Sequence, residues 1–425
     1  MSYRRERAVM LSELIKKVQK KEEVSSAELE RLVADLIDPE TGIEEKANFL
    51  AAFHEKGETA REIADLARIL RGLALDPRVD LKLLGGLLLD TCGTGGDRMN
   101  TFNASTAAAF ILASANLPVA KHGNRSVTSQ CGSADVLEAL GINIEMPPET
   151  VQGALEQTQF AFLFAPAYHK IFKTLQPLRQ YLAQKGLRTV FNIIGPLINP
   201  ARPNIQVVGV YAPDLTERMG EALKNMGLMR AVAVHGYTSD AKDAGLDEFS
   251  NLGPNRLTQL HSSGAMESID LDISVVGLKP ANLEELKGGD HISNAAIIEG
   301  ILKGQIHGAQ RDFVLFNAAA GMVLGNLATD LKDGILKAAE QIDSGKAWKK
   351  VEQVREFSRA ASTIRKLSPT DKPVRVKVDT DWIRLQKEKQ REEVSKRPSS
   401  IHSGERLPNP TQMLRPPAPP KKEDQ

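Results

Sequence analysis

The chain has 425 residues, of which 41% are hydrophobic, so it is long enough for a sizeable core in two or three domains. Its formal net charge of +1 excludes a strong overall attraction to nucleic acid or to an anionic membrane surface. No apolar run approaches the roughly 18 to 20 residues that span a bilayer. The charged segment 1–7 is not followed by an apolar signal core, and the scarcity of cysteine (Cys92 and Cys131) is typical of a reducing compartment. We therefore expect a cytoplasmic protein with no membrane partner.

The first part of the chain, residues 1–80, has the pattern of a small helical domain. Leu29 and Leu32 belong to an apolar series at helical spacing, and similar series occur before and after it. Ser25 or Ser26, followed by Glu28, is typical of the cap that begins a helix. We predict amphipathic helices that pack together through their apolar faces.

From residue 81 to about residue 366, short β-type runs alternate with helical segments. This alternation predicts an α/β domain with a mainly parallel central sheet. The strand candidates are 87–90, 119–121, 162–164, 206–211 and 230–235. In open sheets of this kind ligands bind outside the carboxyl ends of the strands, so the polar loops after these strands are the candidate sites.

A glycine-rich loop follows the first predicted strand and leads into an apolar helix. Gly93 and Gly96 allow the backbone conformations that expose N–H groups to a ligand. Asn103 and Ser105 are suitable cap residues for the helix, whose unsatisfied N–H groups favour an anion. The loop lacks the Gly-x-Gly-x-x-Gly spacing of a dinucleotide-binding fold and the Gly-Lys-Ser/Thr ending of a nucleotide phosphate loop. The pattern indicates a phosphate site of another kind, with a ligand-free turn as the alternative.

The loop after the second predicted strand concentrates cationic and hydroxyl side chains. Lys121 supplies a point charge, and Ser126, Thr128 and Ser129 supply hydrogen-bond donors. Together these groups suit a polyphosphate. For His122 a structural hydrogen bond is favoured over catalysis.

Two adjacent carboxylates, Asp247 and Glu248, follow the last predicted strand after a polar excursion. In isolation they would be solvated surface charges. If the strand ends beside the first two loops, they become candidate ligands of Mg²⁺, which prefers oxygen donors and retains water and substrate phosphate in its shell. The metal would offset the charge of a diphosphate.

Six segments carry motifs that resemble, in the same order, those of one enzyme family. They are Gly93-Thr-Gly-Gly-Asp97, Asn103-Ala-Ser-Thr106, Lys121-His-Gly-Asn-Arg-Ser126, 132–141, 188–200 and Asp247-Glu248. Over about residues 8–365 the chain resembles the anthranilate phosphoribosyltransferases, and several motifs in register are more specific than any single one. The resemblance implies the nucleoside phosphorylase/phosphoribosyltransferase fold class. It also implies a helical domain with further helices from about 170–200 and a homodimer formed through the helical parts.

The reaction implied by this resemblance is phosphoribosyl transfer from phosphoribosyl diphosphate to the amine of anthranilate, a step of tryptophan biosynthesis. As diphosphate departs, cationic character develops on the ribose, so catalysis would come from leaving-group stabilisation and from alignment of the amine. An arylamine is unprotonated at neutral pH and needs no dedicated base. We therefore assign no catalytic acid or base.

Carried over position by position, the resemblance assigns three sets of residues. Phosphoribosyl diphosphate would bind Gly93, Gly96, Asp97, Thr101, Asn103, Ala104, Ser105, Thr106, Lys121, His122, Gly123, Asn124, Arg125, Ser126, Val127, Thr128, Ser129 and Ser133. Anthranilate would meet Gly93, Asn124 and Arg179, whose guanidinium can hold a carboxylate in a fork. Ser105, Asp247 and Glu248 would hold Mg²⁺.

The chain also departs from the family pattern. Gln130 and Cys131 stand where the family commonly has Lys and Ser, which would weaken one phosphate contact. A short insertion near 183–185 and a longer one at 237–244 flank the acceptor and metal regions. The segment 367–425 has no family counterpart, and its charged, proline-rich composition predicts a disordered or extended tail.

Two other functions remain open from the sequence. A same-fold glycosyl-transfer enzyme with another acceptor, such as a nucleoside phosphorylase, would use phosphate and a nucleobase, although its glycine loop differs from 93–97. A non-enzymatic nucleic-acid-binding relative would have no need of the Asp247-Glu248 pair. Nucleic acid is therefore the disfavoured partner, and salt-sensitive binding without turnover would indicate it.

Overall fold

The computed structural model describes residues 2–126, 130–238 and 241–367, and it has an α/β architecture with a helical amino-terminal part. The strands are β1 (Leu89–Gly93), β2 (Val119–Gly123), β3 (Phe160–Phe164), β4 (Ile205–Gly209), β5 (Arg230–Thr238), β6 (Ala241–Leu246), β7 (Asn255–Leu260) and β8 (Met266–Leu271). The helices are α1 (Ser2–Gln19), α2 (Ser26–Ile37), α3 (Ile43–Lys56), α4 (Ala60–Gly72), α5 (Ala104–Ser114), α6 (Ser133–Ala139), α7 (Val151–Thr158), α8 (Ala165–Tyr168), α9 (Ile171–Thr174), α10 (Gln176–Gln184), α11 (Leu215–Asn225), α12 (Leu283–Leu286), α13 (His291–Leu302), α14 (Ala309–Leu324), α15 (Leu331–Asp343) and α16 (Lys346–Leu367). Short 3₁₀ turns cover Leu81–Leu84, Pro148–Thr150, Val190–Asn192, Gly195–Ile198 and Ile273–Val276.

The sheet has the strand order β3-β2-β1-β4-β5-β7-β8, and β6 pairs with the far end of β5. The pairings from β3 through β5 are parallel, whereas β7 and β8 continue the sheet in antiparallel fashion. The mainly parallel sheet is therefore confirmed. Parallel pairing brings the carboxyl ends of β1, β2 and β4 to one edge, where Gly93, Gly123 and Gly209 end the strands.

All five predicted strands are present, with shifted ends. The first begins two residues later than predicted, at Leu89, because residues 87 and 88 lead into the strand without belonging to it. The fifth is longer, since Gly236 to Thr238 continue it into a hairpin with β6. The antiparallel strands β7 and β8 were not among the predicted strands. Strand β8 is partly exposed, and β7 is buried but carries the polar side chains Asn255, Thr258 and Gln259, so both have a weaker apolar signal than the parallel strands.

The helical part is built from α1 to α4, and two of its helices begin with the predicted type of cap. Ser25 and Glu28 form a capping box at the start of α2, and Thr59 and Glu62 form one at the start of α4. The core of these helices is shared with apolar side chains from residues 175–198. The proposed domain boundaries at residues 80 and 366 stay a prediction.

Helix α5 lies behind the sheet and directs its amino terminus toward the loop after β1. It packs against β1 and β2 on one side and against α14 and α16 on the other, so both its faces are apolar. The small side chains of this helix allow that close packing. Its first turn is thereby held in place at the carboxyl edge of the sheet.

None of the helices in the described ranges is long and apolar enough to cross a membrane. The predicted tail from residue 368 onward lies outside the described residues. The described residues of the insertion at 237–244 belong to β5 and β6, and the pairing of these strands shifts register between Tyr237 and Thr238.

Candidate functional site

The carboxylate loop that follows β6 lies directly against the glycine loop that follows β1. A Cβ atom on Gly93 would lie 2.6 Å from Asp247 Cγ, and one on Gly209 would overlap the Asp247 backbone. The amide of Gly95 donates a hydrogen bond of 2.6 Å to Asp247 Oδ2. Glycine is required at the ends of β1 and β4 because any side chain there would push Asp247 away.

The three residues predicted to hold a metal are brought together at this edge. Glu248 Oε1 accepts a hydrogen bond of 3.0 Å from the amide of Ser105, in the first turn of α5. Asn317 of α14 holds the next residue, since its side chain bonds both the amide and the carbonyl of Phe249. The adjacent carboxylates are therefore anchored on one side by the glycine loop and on the other by α5.

Asp97 joins these two carboxylates to form an acidic cluster. Burial, reinforced by the nearby Asp247, raises the pKa of Asp97 to about 7. The same two causes raise the pKa of Glu248 to about 8. Burial also raises the pKa of Asp247, whose side chain hydrogen-bonds Asp97. The buried Lys121 ammonium offsets part of the negative charge of these three acids, and a divalent cation would offset more of it.

The donor set suits Mg²⁺ in particular. Among the described residues, no group of three or more His, Cys, Asp or Glu side chains could hold a metal ion by itself. Mg²⁺ is characteristically held by one or two carboxylates, with water and substrate phosphate completing an octahedral shell. Asp247, Glu248 and the Ser105 hydroxyl fit that requirement.

Lys121 reaches the same place from beneath the site. Its Nζ donates 2.6 Å to the carbonyl of Thr91 and 3.3 Å to Ser105 Oγ, and the side chain is only 2% exposed. Burial lowers the pKa of this ammonium, while Asp90 and Glu248 counteract the effect. Lys121 therefore fixes the Ser105 hydroxyl and adds a positive charge under the acidic cluster.

Asp90 organises the base of the site, and the sequence reasoning missed it. Its carboxylate accepts hydrogen bonds from Asn199 Nδ2 at 2.9 Å and from the amide of His122 at 3.3 Å. Gln206 also donates to it. Complete burial raises the pKa of Asp90 to about 6. A carboxylate at the end of a buried apolar strand was the available signal, because such a group needs partners.

The loop after β2 is shaped by Asp135 of α6. This carboxylate accepts hydrogen bonds from the amides of Ser126 and Gly132, which draws the two ends of the loop together. Arg125, predicted as a phosphate ligand, forms ion pairs with Asp135 and Glu138, and its role toward phosphate stays a prediction. The further predicted residues Val127, Thr128 and Ser129 lie outside the described residues.

The start of α5 differs from the predicted capping arrangement. Asn103 occupies the N-cap position, but its side chain makes no capping hydrogen bond. It donates instead to the carbonyl of Cys131 at 3.3 Å. The side chains of Ala104 and Thr106 are fully buried, so these residues can meet a ligand through their backbone. The first amides of the helix have other partners: that of Ser105 donates to Glu248, and that of Thr106 donates to the carbonyl of Asn103.

The other predicted donor-site residues lie in the same two loops. Thr101 forms an isolated antiparallel bridge with Lys287, which ties the end of the glycine loop to the segment before α13. Gly123 packs so closely on Phe162 that a Cβ would lie 2.7 Å from its ring, and Ser133 lies on the other side. Ser133 Oγ donates a long hydrogen bond of 3.5 Å to the carbonyl of Asn124.

Arg179 stands apart from the glycine loop, at the end of a row of rings. His122 contacts His169 with ring centroids 5.1 Å apart, and His169 contacts Phe172 at 5.8 Å. The guanidinium of Arg179 lies 5.7 Å from the Phe172 ring centroid, and the side chain is exposed. Within the described ranges it makes no hydrogen bond with Gly93 or Asn124, the other two predicted acceptor residues. The rings connect its position to the donor loops.

His122 agrees with the structural interpretation. Burial and the neighbouring His169 lower its pKa to about 3, and the imidazole hydrogen-bonds the backbone of Gly195. It is therefore neutral at physiological pH. Arg188, to which no role was assigned, donates to the carbonyl of Gly96 at 3.4 Å and lies over the ring of Tyr211.

Comparison with known proteins first defines the class. Residues 12–74 match the helical bundle domain of the glycosyl transferase family, and residues 85–348 match the a/b domain of that family.

Individual relatives identify the particular family within this class. The chain is 42% identical over 359 residues to the anthranilate phosphoribosyltransferase of Petrotoga mobilis, covering 84% of this chain and all of the relative. The crystal structure of the Thermus thermophilus enzyme of the same name has a TM-score of 0.73 and 39% identity, covering 81% of this chain and 99% of that one. The Saccharomyces cerevisiae enzyme, in complex with PRPP (phosphoribosyl diphosphate) and Mg, has a TM-score of 0.72 and 29% identity, covering 83% and 98%. The chain belongs to the anthranilate phosphoribosyltransferase family of enzymes.

Proposed function

We propose that this protein transfers the phosphoribosyl group of phosphoribosyl diphosphate to the amine of anthranilate, giving N-(5-phosphoribosyl)anthranilate and diphosphate, in tryptophan biosynthesis. One observation carries the proposal: Asp247 and Glu248 lie against the glycine loop and the first turn of α5. A hard-cation site and an anion-binding backbone thus share one edge of the sheet, as a metal-bound diphosphate ester requires.

In this proposal, Mg²⁺ held by Ser105, Asp247 and Glu248 offsets the charge of the departing diphosphate. The glycine loop and the start of α5 line the position of the phosphates, while the amides of Gly95 and Ser105 hold the two carboxylates. Lys121 keeps the Ser105 hydroxyl oriented, and the hydrogen bond from Gly95 keeps Asp247 in place. Because these groups are positioned before the substrate arrives, little reorganisation is needed as charge develops on the leaving group.

The acceptor side uses different groups. Arg179 is exposed at the end of the ring row and is available to hold a carboxylate, while Asn124 lies at the end of β2, next to the donor loop. The rings of Phe172 and His169 provide apolar surface between the two positions. The amine requires alignment with the anomeric carbon rather than deprotonation, and no base is assigned.

The direct test follows the fluorescence of anthranilate in a mixture of purified protein, Mg²⁺ and phosphoribosyl diphosphate. We expect the fluorescence to fall, and chelation of the metal to stop the change. If the protein leaves anthranilate intact but consumes another amine or a nucleobase, the proposed acceptor is wrong, whereas the proposed donor site still holds. Salt-sensitive DNA or RNA binding without any turnover would instead favour the binding protein over the enzyme.

We also propose that the enzyme is a cytoplasmic homodimer. Cys92 and Cys131 do not form a disulfide with each other, which fits a reducing compartment. Ile43 at the start of α3 and Leu187 after α10 are exposed apolar side chains of the helical part, which suits burial against a second copy. Light scattering coupled to size-exclusion chromatography should give twice the mass of the chain. A mass equal to that of one chain would contradict the proposed dimer.

A further inference from the structure

We infer that Asn294, in the first turn of α13, is a positioning residue that holds the donor site by fixing Asn103 against the loop after β2. This inference deepens the proposed function and rests on it, since Asn103 is one of the residues proposed to bind phosphoribosyl diphosphate. The two asparagines are 191 positions apart in the chain, and their amides meet at 3.1 Å.

The hydrogen bonds of the two amides form a continuous chain. Asn294 Oδ1 accepts 2.7 Å from the amide of Gly289, which leaves its Nδ2 group directed at Asn103 Oδ1. Asn103 Nδ2 in turn donates to the carbonyl of Cys131. Asn294 also hydrogen-bonds the Cys131 side chain. Three segments far apart in sequence are therefore joined at one point.

Burial keeps Asn294 bound to these hydrogen-bond partners. Asn294 is 2% exposed, so its amide cannot exchange these partners for bulk water without opening the packing. The backbone around Asn294 is closely packed. A Cβ on Gly288 would lie 2.5 Å from Asn294 Oδ1 and 2.9 Å from Phe102 Cα. The amide of Gly288 donates to the carbonyl of Asn100, and that of Phe102 to the carbonyl of Leu286.

The hydrogen bond from Asn294 also affects how α5 begins. An N-cap asparagine ordinarily folds back to accept a hydrogen bond from one of the first helix amides, which would compete with Glu248 for the amide of Ser105. Here the Asn103 oxygen accepts from Asn294, and no side-chain cap forms. Asn294 thus holds the Asn103 side chain away from the first turn of α5, leaves the Ser105 amide to Glu248, and sets the spacing between the glycine loop and the loop after β2.

The test replaces Asn294 so that only the donor is lost. Asn294→Asp keeps an oxygen for Gly289 but removes the amide hydrogens that reach Asn103. We expect the dissociation constant of Mg²⁺-loaded phosphoribosyl diphosphate, measured by calorimetry, to rise about tenfold, with the KM for anthranilate changed less than about twofold. Asn294→Ala, which also removes the Gly289 contact, should show the same selective effect to a larger degree.

Asn204→Asp is the matched control. Asn204 accepts from the amide of Leu88 and donates to the carbonyl of Gly86 in the same way, but at the amino end of the strands. It should lower the melting temperature without changing the affinity for phosphoribosyl diphosphate. A double-mutant cycle completes the test: in an Asn103→Ala background, Asn294→Asp should have no further effect on that affinity.

The outcomes separate the inference from the proposed function. Unchanged binding of phosphoribosyl diphosphate in both Asn294 variants, with normal wild-type binding, would overturn the inference alone. The same holds if Asn294→Asp and Asn103→Ala act additively. Wild-type protein that binds the donor but leaves anthranilate intact would overturn the proposed acceptor while the cycle still decides the role of Asn294. Failure of the wild type to bind the donor would overturn both.

Discussion

At the scale of single residues, the site depends on backbone positions that exclude a side chain. Asp247 can reach the amide of Gly95 only because Gly93 and Gly209 leave room for it. Gly95 and Gly96 also adopt positive φ angles, which are open to glycine at little cost. The carboxylate loop and the glycine loop therefore depend on each other.

Gly93→Ala tests this dependence. The added methyl group would lie 2.6 Å from Asp247 Cγ, so the carboxylate must move, and we expect kcat/KM to fall about 100-fold, as is typical when a catalytic group is misplaced by about 1 Å. Steady-state kinetics at saturating Mg²⁺ measures the change. Gly72→Ala is the control, since nothing lies within 4 Å of that position in α4, and it should retain full activity. Comparable rates for the two variants would contradict the proposed arrangement.

Arg179→Ala tests the acceptor side. A hydrogen bond to a charged group contributes about 1.5–3 kcal/mol, so loss of the guanidinium should raise the KM for anthranilate at least about tenfold and leave the KM for phosphoribosyl diphosphate nearly unchanged. Arg61→Ala removes a highly exposed arginine of α4 and should change neither constant. An equal rise in both KM values after Arg179→Ala would show that the residue does not act on the acceptor.

At the scale of elements, the helical part is stabilised by an ion pair that water cannot reach. Lys56 at the end of α3 and Glu62 in α4 lie 2.6 Å apart with side chains 3% and 0% exposed. Glu62 also accepts hydrogen bonds from the amides of Val24 and Thr59, and so connects α3, α4 and the residue before the α2 cap. This one carboxylate therefore contacts three segments of the helical part.

Glu62→Gln should consequently be costly. Removing one partner of a buried pair leaves an uncompensated charge, and we expect the free energy of unfolding to fall by about 3–5 kcal/mol. Urea denaturation followed by circular dichroism measures the loss. Glu217→Gln breaks the solvent-exposed pair with Arg256 and should cost less than about 1 kcal/mol. If the free energy of unfolding fell by the same small amount in both variants, the buried pair would contribute no more to stability than the exposed pair.

At the scale of the whole molecule, ligand binding and stability should be coupled through the acidic cluster. Asp97, Asp247 and Glu248 repel one another, and a divalent cation relieves that repulsion. The cation and the diphosphate are therefore expected to bind together, bridging the loops after β1 and β2 and the carboxylate loop. Each of these loops belongs to a different part of the fold, so binding should stabilise the whole sheet.

The corresponding prediction concerns melting temperature. A ligand present at about 100 times its dissociation constant stabilises the native state by about 2.7 kcal/mol, so phosphoribosyl diphosphate with Mg²⁺ should raise the melting temperature by several degrees. Differential scanning fluorimetry should show a much smaller increase without the metal, and Asp247→Ala should abolish both the increase and metal-dependent turnover. A full increase in the presence of a chelator would argue against a metal bridge.

The order of elements and the positions of the loops could be predicted because they depend on neighbours in the sequence. The capping box of Ser25 and Glu28 and the apolar run of β1 are local patterns, and the structure confirms both. Several motifs in the same order as in the anthranilate phosphoribosyltransferases also indicated the family, which the comparisons establish. The exact strand ends and the two antiparallel strands β7 and β8 escaped prediction because their pairing depends on partners distant in the chain.

Only the tertiary structure decided which side chains meet. Asp247 bonds Gly95 across 152 positions, Glu248 bonds Ser105 across 143, and Asn294 bonds Asn103 across 191. No local pattern encodes such pairs, since they arise when packing of the sheet against its helices brings separate loops to one edge. The same packing buries Asp90 and turns Arg125 toward Asp135. Residue types thus specified the chemistry available to this protein, whereas the fold specified its partners, because hydrogen bonds depend on distance in space.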